Sequence, residues 1–343
     1  AFTDLVGNTN KEETRTGLTI DNTAPIVTIG NPNKTVINKD GVATYEITLN
    51  ESSILNSDKI TISGAGSTGG TVQVTGSGTT YTVAVTGGTG NGAVTLNVAA
   101  GAFTDSAGNT SVATSKDGLT IDNIAPTVTI GNPNKQSIKS GQTATYAITL
   151  SETATLDSSK ITVTGAGSTG GTVQVTGSGT TYTVTVTGGT GNGAVTLNVA
   201  AGAFADSAGN ISVVTTKEGL TIDNTAPAVT IGNPNKTHIK EGGTATYTIT
   251  VNEDITIDKS KITVSGTNTV EVTGSGRNYT AIVTGGTGNG TITLNVEAGA
   301  FTDLVGNQNR LTTKTGITLD NIAPVITIGE PSHQYIGAGE TAT

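Results

Sequence analysis

The sequence predicts an all-β protein built from tandem seven-stranded β-sandwich domains arranged end to end, and three observations carry that prediction. The first is a long internal repeat. The pair Asp-Asn ahead of x-Ala-Pro falls at Asp21, Asp122, Asp223 and Asp320, giving spacings of 101, 101 and 97 residues. Phe2, Phe103, Phe204 and Phe301 keep the same three spacings. The second is composition: 48 Gly in 343 residues, abundant Val and Thr, and aromatic residues at only 3%. Short β-branched segments punctuated by Gly and Asn read as strands and turns. The third is alternation, in which Tyr45, Ile47 and Leu49 interleave with Thr44, Glu46 and Thr48. That period of two belongs to a strand with one buried face.

In the first unit the strands are expected, in order, over 26–30 (IVTIG), 43–49 (ATYEITL), 59–63 (KITIS), 71–75 (TVQVT), 80–86 (TYTVAVT), 93–98 (AVTLNV) and 116–121 (KDGLTI). Each is a short run rich in Val, Ile and Thr. The glycine cluster Gly87–Gly92 lies between two such runs and reads as a turn. It precedes a strand rather than a helix, which argues against a phosphate-binding loop. About seven strands in about 100 residues, with no helical pattern, describe an immunoglobulin-like sandwich. A β-solenoid would repeat every 20–50 residues or so.

With strands counted from each Asp-Asn pair, the complete domains are 22–122, 123–223 and 224–320. Residues 1–21 are then the C-terminal part of a preceding domain, and 321–343 the N-terminal part of a following one. The chain opens on Ala1 in mid-motif, so it reads as a window on a longer array. The shorter third period has a local cause: SGAGSTGGTVQV at 63–74 becomes SGTNTVEV at 265–272. Residues 64–83 and 165–184 are identical, which marks the first two units as recent copies.

Several function classes are disfavoured. The net charge of −9 argues against nucleic acid and leaves cations or cationic surfaces as partners. The absence of Cys excludes disulfides and thiolate metal sites. No apolar run is long enough for a membrane span. His238 and His333 fall out of phase with the repeat and read as surface residues. No recurring nucleophile stands beside a base, so the chain is expected not to be an enzyme.

One recurring constellation remains. In a seven-stranded sandwich the start of the first strand, the loop after the second and the loop before the last share one pole. That pole would gather Asp21, Glu51, Asp105 and Asn109 in the first unit. The second supplies Asp122, Glu152, Asp206 and Asn210, and the third Asp223, Glu253, Asp303 and Asn307. Three carboxylates and an amide oxygen, completed by carbonyls and water, suit the roughly six to eight hard oxygens that Ca²⁺ takes. Taken alone, Asp-x-x-Gly-Asn is a turn in which Asp bonds its own backbone. The convergence favours the ion, because three acidic groups at one pole repel one another without a cation. Asp254, beside Glu253, is placed to compete with it.

The ordered set of DNxAP, a Glu just after the second strand, and GAFTDxxGN before the last strand resembles the bacterial Ig-like repeats of giant surface adhesins and biofilm-associated proteins. The resemblance covers the whole chain. It implies a secreted, calcium-stiffened stalk at the bacterial surface or in the biofilm matrix, with the residues named above as calcium ligands. The expected partners are calcium ions, neighbouring domains of the same chain and, in a fibre, other copies. Three alternatives stand beside the stalk. One is a self-assembling filament or surface layer, for which orphan strands over 13–20 and 325–329 would permit exchange. The others are ligand-binding adhesive domains and an accessory array of a secreted hydrolase. The near-identity of the first two units favours a spacer, because adhesive loops should diverge.

Overall fold

The computed structural model describes residues 1–343. Three separate hydrophobic cores run along the chain, from Ile37 to Ile121, from Ile130 to Ile222 and from Ile231 to Leu319. Each belongs to an immunoglobulin-like β-sandwich without α-helix; short 3₁₀ turns such as Ser57–Lys59 are the only helical backbone.

In the first domain the strands are β1 (Val27–Ile29), β2 (Val36–Ile37), β3 (Val42–Leu55), β4 (Ile60–Ser63), β5 (Thr71–Thr86), β6 (Gly92–Val98), β7 (Phe103–Thr104) and β8 (Thr114–Ile121). One sheet orders β1-β3-β5 and the facing sheet β2-β8-β6-β4. The period-two pattern does what it should. Tyr45 and Ile47 of β3, Tyr81, Val83 and Val85 of β5, Leu96 of β6 and Leu119 of β8 all point into the gap and are buried. Tyr81 packs on Phe103 with ring centroids 5.0 Å apart and planes tilted by 57°, a contact repeated by Tyr182–Phe204 and Tyr279–Phe301. The long β5 holds two of the expected strands. In the second domain the same stretch is a hairpin of Thr172–Ser178 with Thr181–Thr187.

Two further features of the complete domains depart from the sequence expectation. The opening strand is split between the sheets. β1 pairs antiparallel with β3, whereas β2 runs parallel to β8, with Ile37 opposite Ile121. Between them lies Pro32, which has no N–H for a ladder. Asn33 closes the crossing: its N–H donates to the Thr44 carbonyl and its side-chain oxygen accepts the Thr44 N–H (3.0 and 2.8 Å). The second departure is a short ribbon. The end of β3 pairs with β7, Leu55 opposite Phe103; Thr155–Leu156 and Ile255–Ile257 do the same with Phe204–Ala205 and Phe301–Asp303. This ribbon ties the segment after the second strand to the loop before the last.

Residues 1–21 hold one isolated bridge, Thr3 to Thr9, and 321–343 hold no strand. The strands expected over 13–20 and 325–329 are not formed. Their counterparts in complete domains, such as β8 and β1, are held by sheet neighbours that these segments lack.

Candidate functional site: acidic clusters at the domain junctions

Each Asp-Asn pair continues the last strand of one domain into the linker. The Asp122 N–H donates to the Ile37 carbonyl and the Asp223 N–H to that of Ile138, both at 2.9 Å. The Asp side chain then turns forward and caps the residue two positions on; Asp122 Oδ1 accepts the Ile124 N–H at 2.9 Å.

The loop after β7 is a tight Asx turn. Asp105 Oδ1 accepts the N–H groups of Ala107 (2.9 Å) and Asn109 (2.8 Å), and the positive φ of Gly108 (94°) closes the loop. Asp206 and Asp303 repeat this. The turn reading of this motif is therefore correct as local structure. It also fixes a buried carboxylate: Asp105, Asp206 and Asp303 are all buried.

The third acid arrives on the ribbon. Ile255 lies opposite Asp303 in its register, which sets Glu253, two residues earlier, beside the same pole. The result is three clusters, Asp21–Glu51–Asp105, Asp122–Glu152–Asp206 and Asp223–Glu253–Asp303. Within each, one carboxylate oxygen per residue lies within 4.8 Å of the others. Burial first, and then the negative charge of Asp21 and Asp105, pushes the Glu51 carboxyl above the usual range. Glu152 and Glu253 are raised likewise, chiefly by burial and by their own flanking aspartates. Asp105 moves the opposite way, held below the usual range chiefly by the Asn109 amide. Glu51 Oε1 is buried with no hydrogen-bond partner.

The amides at Asn109, Asn210 and Asn307 sit at the same pole and tie loop to linker. Asn109 Nδ2 donates to Asp105 Oδ2 (2.8 Å) and to the Asp21 carbonyl (3.0 Å); Asn210 and Asn307 bond Asp122 and Asp223 in the same way. The amide nitrogen, rather than the oxygen, faces Asp105 and the linker. Asp254 stands apart from the cluster, in a correction to its expected competition with Glu253. Its exposed carboxylate accepts from Arg277 Nε at 2.9 Å.

One recurring junction residue escaped the sequence reading, namely the Asn that follows the closing Asp of each complete domain. Asn123 reaches backwards into the domain just completed. Its Nδ2 donates to the carbonyls of Gly88 (3.1 Å) and Gly90 (2.9 Å). Its Oδ1 accepts the Lys39 N–H (2.6 Å), and its own N–H donates to Asn91 Oδ1 (2.7 Å). Asn224 and Asn321 make the same set. The glycines of this loop are there for space: a Cβ on Gly88 would stand 2.1 Å from the Gly69 backbone. The available signal was the invariable Asp-Asn order together with a glycine loop whose carbonyls had no partner.

The sequence profile of a family described as bacterial Ig-like domain matches residues 122–222 and 223–319. The chain belongs to this family. Among solved structures it is similar to FdeC, an Escherichia coli adhesin, with 16% identity and a TM-score of 0.35 over 90% of this chain and 100% of that one. It is similar also to titin domains I67–I69, with 12% identity and a TM-score of 0.36 over 87% of this chain and 99% of that one. None of the curated protein sequences matches the chain.

Proposed function

We propose that the chain is a structural stalk segment of a secreted bacterial surface protein, an adhesin or biofilm-matrix component, made rigid by Ca²⁺ at its interdomain junctions. The observation that carries this reading is the threefold recurrence of one acidic cluster across each linker, with Asp122 on the linker and Glu152 and Asp206 on the domain that follows. The donor set is entirely hard oxygen, and Glu51 offers a buried oxygen with no protein partner, both of which suit Ca²⁺. A bound Ca²⁺ supplies positive charge that offsets the mutual repulsion of the carboxylates. The protein's part is to hold Asp206 by its turn, Glu152 by its ribbon and Asp122 by the end of the preceding strand. In this reading the chain is extracellular and has no catalytic role.

Calorimetric titration of the full chain with CaCl₂ tests the proposal. The expected result is saturable binding that Asp122→Asn reduces by one site, together with a higher melting temperature in calcium than in chelator. Identical melting curves in calcium and chelator would refute it.

A further inference from the structure

The two junctions between complete domains differ in one respect. In the third domain Asp303 draws the N–H groups of Val305, Gly306 and Asn307 onto its Oδ1 (3.0, 2.6 and 2.7 Å). In a trans peptide the N–H and the C=O point in opposite directions. Turning the Gly306 and Asn307 N–H groups inward therefore presents the Val305 and Gly306 carbonyls outward, towards the second domain. Both are taken there. Lys139 Nζ donates to the Gly306 carbonyl at 2.6 Å and Gln142 Nε2 to the Val305 carbonyl at 3.0 Å. Gln142 is aimed by its other end, since its Oε1 accepts the Lys139 N–H at 3.2 Å. The Lys139 bond is charge-assisted, the stronger kind.

The first junction presents the same acceptor geometry. Asp206 Oδ1 takes the N–H groups of Ala208, Gly209 and Asn210 (2.9, 2.8 and 2.8 Å), so its loop carbonyls also turn outward. What differs is the donor side. Asn38 and Gly41 occupy the positions of Lys139 and Gln142. Asn38 Nδ2 lies near Gly209, 3.6 Å from where a Cβ would stand, and Gly41 has no side chain to offer.

We propose that Lys139 and Gln142 form a latch that holds the second and third domains in register without any bound ion, and that the first and second domains have no such latch. The chain then has two kinds of joint: one held by the acidic cluster and the Asn210 bond to the linker, and one that adds the latch and stays aligned when the cluster is empty. This goes beyond the calcium reading and stands whether or not cations bind.

The chain has no cysteine, so cysteine pairs placed on exposed threonines label it uniquely. Thr75→Cys with Thr176→Cys spans the first junction, and Thr176→Cys with Thr273→Cys the second. Pulsed electron–electron resonance on the full chain in EDTA reads the width of each distance distribution. The expected result is a distribution at least about twofold broader across the first junction than across the second. Lys139→Asn with Gln142→Gly, the residues that the first domain carries at these positions, should broaden the second to match the first. Asn38→Lys should narrow the first. Equal widths in EDTA, or a second junction unmoved by the double substitution, overturn the latch. Adding CaCl₂ separates the two proposals: a first junction that calcium fails to narrow counts against the calcium reading and leaves the latch standing.

Discussion

Asn123 and Asp122 are adjacent residues facing opposite ways, and their side chains answer to different domains. Asn123 is committed at both ends of its amide to the first domain. Replacing it with Asp keeps the shape but turns two donors into an acceptor pointed at the Gly88 and Gly90 carbonyls. Asn123→Asp should therefore cost the first domain about 1–3 kcal/mol, the usual penalty for stranding a desolvated polar group. A melt of the full chain should show this as one transition lowered by roughly 4–8 °C per kcal/mol. Glu51, Glu152 and Glu253 set a pH signature. Their folded carboxyls titrate above the ordinary glutamate value. In chelator the protonated form is the favoured one in the folded state, so stability is fullest below the unfolded glutamate value. It falls as pH rises through the raised folded value. Asp105 is depressed, so its contribution is lost in a different, more acidic window as pH falls through its folded value. Melting temperatures recorded in EDTA should fall across the window just above the ordinary glutamate value, and CaCl₂ should flatten that slope. A slope insensitive to Glu152→Gln would exclude Glu152 as a source.

At the scale of elements, the short ribbon matters more than its two-residue strands suggest. It anchors the Glu-bearing segment to the Asp-bearing loop, and Phe103, paired with Leu55 and packed on Tyr81, is its keystone. Phe103→Ala should cost about 3–5 kcal/mol as a large-to-small core change. It should also slacken the Asp21–Glu51–Asp105 cluster, seen as weaker calcium binding at that site alone. The long strands and their inward faces were legible in the sequence, because the alternation at Tyr45, Ile47 and Leu49 has no other reading. The acidic pole was legible too, since sandwich topology alone brings those three segments together. β2 and the ribbon were not. Two-residue pairings such as Val36–Ile37 carry no periodicity, and their partners lie far away in sequence. The backward role of Asn123 was hidden for a related reason: its partners are backbone carbonyls, which leave no side-chain signature.

For the whole molecule, the expected behaviour is a rod with selectable bends. Small-angle scattering in calcium should give a longer maximum dimension than in EDTA, because clustered carboxylates without a counter-charge repel and loosen the joint. Asp122→Ala should shorten the molecule even in calcium by freeing the first junction, while the junction at Asp223 keeps its geometry. Profiles that superimpose under all these conditions would be inconsistent with ion-dependent stiffness. Both ends of the chain carry exposed apolar side chains, among them Phe2, Leu18 and Ile20, at the repeat positions where Phe103, Leu119 and Ile121 are buried.

The two-way Asp-Asn pair has a further consequence for how such a protein can change its size. Each pair finishes the domain behind it and opens the site of the domain ahead, so the acidic cluster and the Asn contacts recur with the repeat. Inserting or deleting a whole 101-residue period restores the acidic cluster and the Asp-Asn contacts at the seam, while the Lys139 and Gln142 latch is kept or lost with the second domain. The identical stretches 64–83 and 165–184 offer long matched tracts of the sort at which unequal genetic exchange takes place. The number of domains, and with it the length of the chain, can thus change in fixed steps, with the acidic cluster rebuilt at each seam.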